Sequence, residues 1–207
     1  MMNTFLCALL LASTASASAE VICALGSATA SYDPKMDQRP SADVMQMAKR
    51  LNTALSFTCS PKCPQIAILR NPTAPNAMLV VTPDQAKMVY APQFFAAVYD
   101  KYGDAAILAI ITHEYAHALD EVYPASWMSK TWSAELRADG WAGCALAKSN
   151  FSSNNLAEAL TAVSKYPPLS HPAWTSRSAA LRLGYVHCGA VCLVHCGFLH
   201  LIEVSDA

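Results

Sequence analysis

The stretch DAAILAIITHEYAHALDEVY, residues 104–123, decides how this chain is read. Asp104 stands where it can cap a helix, AILAII makes that helix strongly apolar, and Pro124 ends it. A helix of this kind runs through a core rather than along a surface. Into it the sequence sets His113-Glu114-Tyr115-Ala116-His117. Residues four apart on a helix share a face and lie about one turn, ~5.4 Å, from each other. Both imidazoles can therefore reach a single Zn²⁺ at about 2.0–2.1 Å. Glu114, beside the first ligand, can project next to the metal and take a proton from water there. Burying two histidines and a glutamate without partners is costly, and a metal removes that cost. At this His and Glu content, H-E-x-x-H arises by chance only about 0.005 times per chain, so the pattern is read as a site.

Two histidines do not complete a catalytic zinc site, which takes three protein ligands and leaves one position to water. Glu121, Glu135, Asp139, His171, His187 and His195 are the downstream candidates. Glu121 follows His117 by four residues and extends along the same helix past the metal. Glu135 sits on a second helix, expected over about 132–148, which the turn at Pro124 lets cross the first. Asp139, four residues on, shares its face and can accept the other ring N–H of a ligand histidine. The competing reading of this stretch is an ordinary solvated face that includes Arg137.

Upstream, PQFFAAVYDKYG (92–103) reads as a helix stopping at Gly103. QIAILR (65–70) and NAMLVVTP (76–83), separated by NPTAP, read as strands. Ser41 is placed to cap a helix over 42–57, where Val44, Met47, Ala48, Leu51 and Leu55 recur at helical spacing. Residues 20–40 read as a mixed, turn-rich lead-in. Downstream helices are expected over about 154–165, capped by Ser153, and about 173–186, after the loop YPPLSHP. The fold class is α+β, mostly helical: one domain over 20–186 with a small sheet, then an apolar, Cys-rich tail over 187–207.

The chain has 207 residues, and charged residues make up 14% against about 25% in typical domains. A net charge of −1 without a basic run excludes a nucleic-acid partner. Residues 1–19, MMNTFLCALLLASTASASA, have an apolar stretch and an Ala17-Ser18-Ala19 ending, the shape of a secretory signal cleaved before Glu20. The apolar stretch is far shorter than the ~20 residues of a membrane span. A periplasmic or secreted protein without a stable membrane span is expected.

Export gives the cysteines meaning, because most thiols pair in an oxidising compartment. Removing Cys7 leaves seven, an odd number. Cys59 and Cys63, in the loop CSPKCP, are expected to form a local disulfide. Cys188, Cys192 and Cys196 repeat every four residues, with His187, His195 and His200 interleaved. They suit either a disulfide anchor to Cys23 or Cys144 or a soft metal.

HEYAH followed by ELRAD (135–139) resembles the gluzincin zinc metallopeptidases, most closely the CAAX-prenyl-protease/HtpX-like branch with its H-E-x-x-H…E-x-x-A-D pattern. His171-Pro172 with Arg177 is similar to that branch's H-P-x-x-x-x-R segment, and Asn76-Ala77 to its Asn-Ala strand start. The similar segments span roughly residues 76–185. The resemblance implies a zincin-like domain with one zinc held by His113, His117 and Glu135, with Glu114 as general base and Asp139 behind the ligands. His171 and Arg177 would lie near the site, stabilising the oxyanion or bracing the carboxylates. That branch usually carries transmembrane helices or an added repeat domain, neither of which is read here, so its membrane substrates are not carried over.

A zinc metalloendopeptidase acting on a peptide or protein substrate is the expected function. The strand over 76–82 would pair with an extended substrate, and His171, Arg177, Tyr115 and Tyr185 are candidate oxyanion donors. The alternatives are a catalytically inactive, metal-stabilised binding or chaperone-like exported protein, with the open zinc position filled by His171 or a tail thiolate, and a thiol-redox protein built on the tail.

Overall fold

The computed structural model describes residues 20–24, 32–59, 63–82, 85–124, 126, 132–164 and 172–189. The signal segment 1–19, His171 and the tail from residue 190 lie outside the described residues. Four strands, β1 (Glu20–Ala24), β2 (Ile66–Arg70), β3 (Ala77–Val81) and β4 (Ala86–Tyr90), form one sheet in the order β1-β3-β4-β2. Among the described residues there are five helices, α1 (Ala42–Cys59), α2 (Pro92–Val122), α3 (Ser133–Lys148), α4 (Ser153–Ser164) and α5 (Trp174–Gly189); α2 packs on the sheet, α1, α3 and α4 pack on α2, and α5 packs on α3 and α4. The mostly helical α+β architecture is the one expected.

The two strands read from sequence are present but do not pair with each other. β4 lies between them, parallel to β2 and antiparallel to β3. β4 escapes the sequence reading because Lys87 interrupts its apolar pattern. In the fold Lys87 is buried and its Nζ meets Asp37 at 2.5 Å, a partner from a distant segment. The lead-in is also more structured than read. Glu20–Ala24 form β1, Pro34–Met36 a 3-10 turn, and Gln38 bridges Arg70 beside β2.

α2 carries the core. Its two arms meet at Gly103, whose φ of 67° and ψ of −166° leave the helical region. A side chain is strained at such a φ, so glycine permits the break. The break falls where the sequence stops the first helix, and Asp104 pairs with Arg50 at 3.6 Å. Beyond it Ala105–Asp120 are buried except Tyr115, as a helix apolar on all sides requires. The arm lies between the sheet on one side and α3 and α4 on the other.

Behind it α3 and α5 approach unusually closely. A Cβ on Gly143 would strike the carbonyl of Leu181, and one on Gly184 that of Gly140. Cys144 and Cys188 join the two helices by a disulfide, one of the anchors anticipated for the tail. α5 accordingly runs past residue 186 to Gly189 and takes in the start of the segment read as tail. Cys59 and Cys63 form the expected local disulfide.

Helix starts follow hydrogen-bond geometry. Ser41 caps α1, its Oγ accepting from the Val44 amide at 3.5 Å. At α4 the cap is Ser152 rather than Ser153: its Oγ accepts from the Asn155 amide at 3.3 Å, and the Asn155 side chain accepts the Ser152 amide at 3.1 Å. This reciprocal pair satisfies two end donors and displaces the cap by one residue.

Candidate metal centre

Three elements converge behind β3. The second arm of α2 contributes His113, Glu114 and His117, α3 contributes Glu135 and Asp139, and α5 contributes Arg177. His113 Nε2 lies 3.2 Å from Glu135 Oε2 and 3.4 Å from His117 Nε2, and His117 Nε2 lies 3.8 Å from Glu135 Oε1. A tetrahedral ion bonded at about 2.0–2.1 Å separates its ligand atoms by about 3.3–3.4 Å. The cluster therefore has the spacing of three ligands around one ion and can hold a metal. It is the one such group of His, Cys, Asp and Glu among the described residues. Each histidine side chain is 3% exposed and that of Glu135 12%, so access to the cluster is greatest on the Glu135 side.

The surroundings fix the ligand chemistry. Asp139 Oδ1 lies 3.0 Å from His113 Nδ1, and Arg177 closes on the same carboxylate through Nε to Oδ2 at 2.8 Å and Nη2 to Oδ1 at 2.9 Å. Burial alone would raise the Asp139 pKa. The hydrogen bonds from His113 and Arg177 outweigh it and hold the carboxyl below its ordinary value. An ionised carboxylate only accepts, so His113 donates from Nδ1 and turns the lone pair of Nε2 to the cluster.

Glu114 is fully buried, and neither carboxylate oxygen has a hydrogen-bond partner. Burial, reinforced by the charge of Glu135, pushes its pKa to about 8 against the opposing pull of His113, the Leu79 backbone and Arg177. A buried carboxylate beside three convergent donors is a donor set whose chemistry fits a cation.

The other sequence candidates resolve as follows. Glu121 is exposed, outside the cluster, and His187 on α5 is not part of it. His171 and His195 lie outside the described residues, as do Cys192 and Cys196. Arg177 is buried against Asp139, which is the bracing role among those anticipated. The hydroxyls of Tyr115 and Tyr185 donate to the carbonyls of Pro64, at 3.0 Å, and Phe151, at 2.7 Å, and are engaged away from the ligands. The strand over 76–82 offers no free edge, because β1 and β4 pair with its two sides.

One pair escaped the sequence reading. Arg137, taken for part of a solvated face, is 1% exposed; its Nη1 meets Asp120 at 2.9 Å and donates to the Tyr123 carbonyl at 2.8 Å. It ties the end of α2 to α3, two residues from Glu135. The only advance signal was its place between Glu135 and Asp139 on a helix that had to be buried on that side.

No protein-family model, curated protein or solved structure matches the chain. The functional reading therefore stands on its residues. Two disulfides among the described residues are compatible with an exported protein, and no described helix is long and apolar enough to cross a membrane.

Proposed function

We propose that this chain is a zinc-dependent metalloendopeptidase of compact gluzincin type, acting on peptides in the periplasm or outside the cell. One observation carries the reading: His113, His117 and Glu135 converge at ligand spacing while Glu114 stands beside them, buried and unsatisfied. His113, His117 and Glu135 would hold one zinc ion. When bound there, zinc supplies Lewis acidity that acidifies water and polarises a carbonyl.

The chain's own residues do the rest. Glu114 accepts a proton from water at its carboxylate and returns it to the leaving amine; burial raises its proton affinity above that of an ordinary carboxylate. Asp139 holds the His113 ring in one tautomer, and Arg177 holds Asp139. Two groups away from reacting atoms thus position the ligand. The low exposure of the ligands favours, as second reading, an inactive metal-stabilised binding or chaperone-like protein.

A peptide-library digest separates the two. The mature chain, holding close to one zinc, is expected to cleave, and Glu114→Gln to retain zinc and lose cleavage. Cleavage surviving in Glu114→Gln contradicts the mechanism, and a zinc-loaded parent inert toward every peptide leaves the binding reading.

A further inference from the structure

β3 packs against α2, the helix that carries His113, Glu114 and His117. One side of β3 is paired with β4; the other, the side left for an extended peptide to pair with, is covered by β1. β1 pairs antiparallel, Glu20 opposite Val81, Val21 opposite Val80, Cys23 opposite Leu79 and Ala24 opposite Met78, with an irregularity between Val21 and Cys23. It is one of the two end strands of the sheet and, like the other three, five residues long. Cleavage before Glu20, as the sequence predicts, would make the first residue of β1 the chain's N-terminus. A strand held by one covalent connection and a short, irregular ladder separates from its neighbour more readily than one anchored at both ends.

We propose that β1 is an internal occupant of the peptide-binding edge of β3: Glu20–Ala24 lie where an extended substrate pairs, and substrate enters by displacing them. This rests on the peptidase reading of the site. It makes the mature protein self-restrained, and it gives the preferred ligand a chemistry, an unfolded peptide segment free to form antiparallel main-chain hydrogen bonds. Pairing of this kind recognises backbone first, so the restraint acts through main-chain groups rather than through any one side chain of β1.

The test uses the zinc-loaded mature chain with Glu114→Gln, so that bound peptide is not turned over, and the synthetic peptide EVIAA as probe. Hydrogen exchange at saturating peptide is expected to deprotect the amides of residues 21–24 while those of 78–81 stay protected. Val21→Pro with Ile22→Pro removes whichever of two successive amides faces β3; this variant is expected to bind the probe about tenfold tighter and, with Glu114 restored, to cleave a peptide library about tenfold faster. Protected β1 amides with peptide bound, equal affinity in parent and folded proline variant, or no binding by either chain overturns the proposal. The exchange comparison needs no substitution in β1, so misfolding of the proline variant leaves it decisive. Displacement of β1 without cleavage by any chain carrying Glu114 upholds the occupied edge and rejects the peptidase instead.

Discussion

Asp139 Oδ1 stands 3.0 Å from His113 Nδ1, across the ring from the nitrogen that faces His117 and Glu135. Through this bond a helix that supplies no imidazole sets the direction in which one points. Outer partners of this kind typically contribute about 10–100-fold to metal affinity. Asp139→Asn is therefore expected to weaken zinc binding by about that factor, read by competition with a chromophoric chelator, while the helix content of the chain is unchanged.

Arg177 makes the converse case. It is the only guanidinium on Asp139 among the described residues, and both groups are buried. Arg177→Met leaves a buried carboxylate with only His113 to answer it, and loss of one member of a buried pair costs about 3–5 kcal/mol. Urea unfolding of the metal-free chain is expected to show a loss of that size, with Arg177→Lys intermediate because a single ammonium cannot make the two-pronged contact.

Asp120 and Arg137 form a pair in which burial works against both charges: it raises the pKa of Asp120 to about 7 and lowers that of Arg137. Arg137→Met alone is expected to destabilise the fold by about 3–5 kcal/mol, whereas Asp120→Asn with Arg137→Met recovers most of that loss. A double-mutant cycle in denaturant measures the difference.

The same pair has a pH signature. The folded pKa of Asp120, about 7, lies above its ordinary value of 3.8. The folded state thus binds the extra proton between these values, so this contribution is complete below the lower pKa and is lost as pH rises through the upper one. The stability of the parent relative to Asp120→Asn is expected to fall between pH 5 and about pH 8, read from paired thermal melts of metal-free protein. A pH-independent difference contradicts the assignment.

Gly143 and Gly184 let α3 and α5 meet at backbone distance, which keeps Arg177 within reach of Asp139. Gly143→Ala forces a methyl group onto the Leu181 carbonyl and must push the helices apart. A destabilisation of about 1–3 kcal/mol or more is expected, together with weaker zinc binding in whatever fraction folds. An Ala variant with parental melting and zinc affinity would refute the close approach.

The legible parts of this fold are those whose cause is local. H-E-x-x-H on an all-apolar helix, the break at Gly103, the Cys59–Cys63 loop and the helical spacing of Glu135 and Asp139 are readable because neighbours in sequence set them. What escaped depends on partners far along the chain. β4 hides behind Lys87, which is acceptable inside the sheet only because Asp37 meets it. Arg137 looks solvated until Asp120 and the Tyr123 carbonyl are brought to it. β1 is no shorter than the strands that were read, but nothing in EVICA names its partner, and only the register with Met78–Val81 makes it a strand.

In the proposed peptidase, α2 and α3 deliver two imidazole nitrogens and one carboxylate oxygen to a single zinc ion. X-ray absorption spectroscopy of the zinc-loaded mature chain tests it most directly. One zinc per chain, two imidazole scatterers, a shell of nitrogen and oxygen at about 2.0–2.1 Å and loss of occupancy in Glu135→Ala are expected. A sulfur shell at about 2.3 Å, or full zinc occupancy in Glu135→Ala, would contradict it.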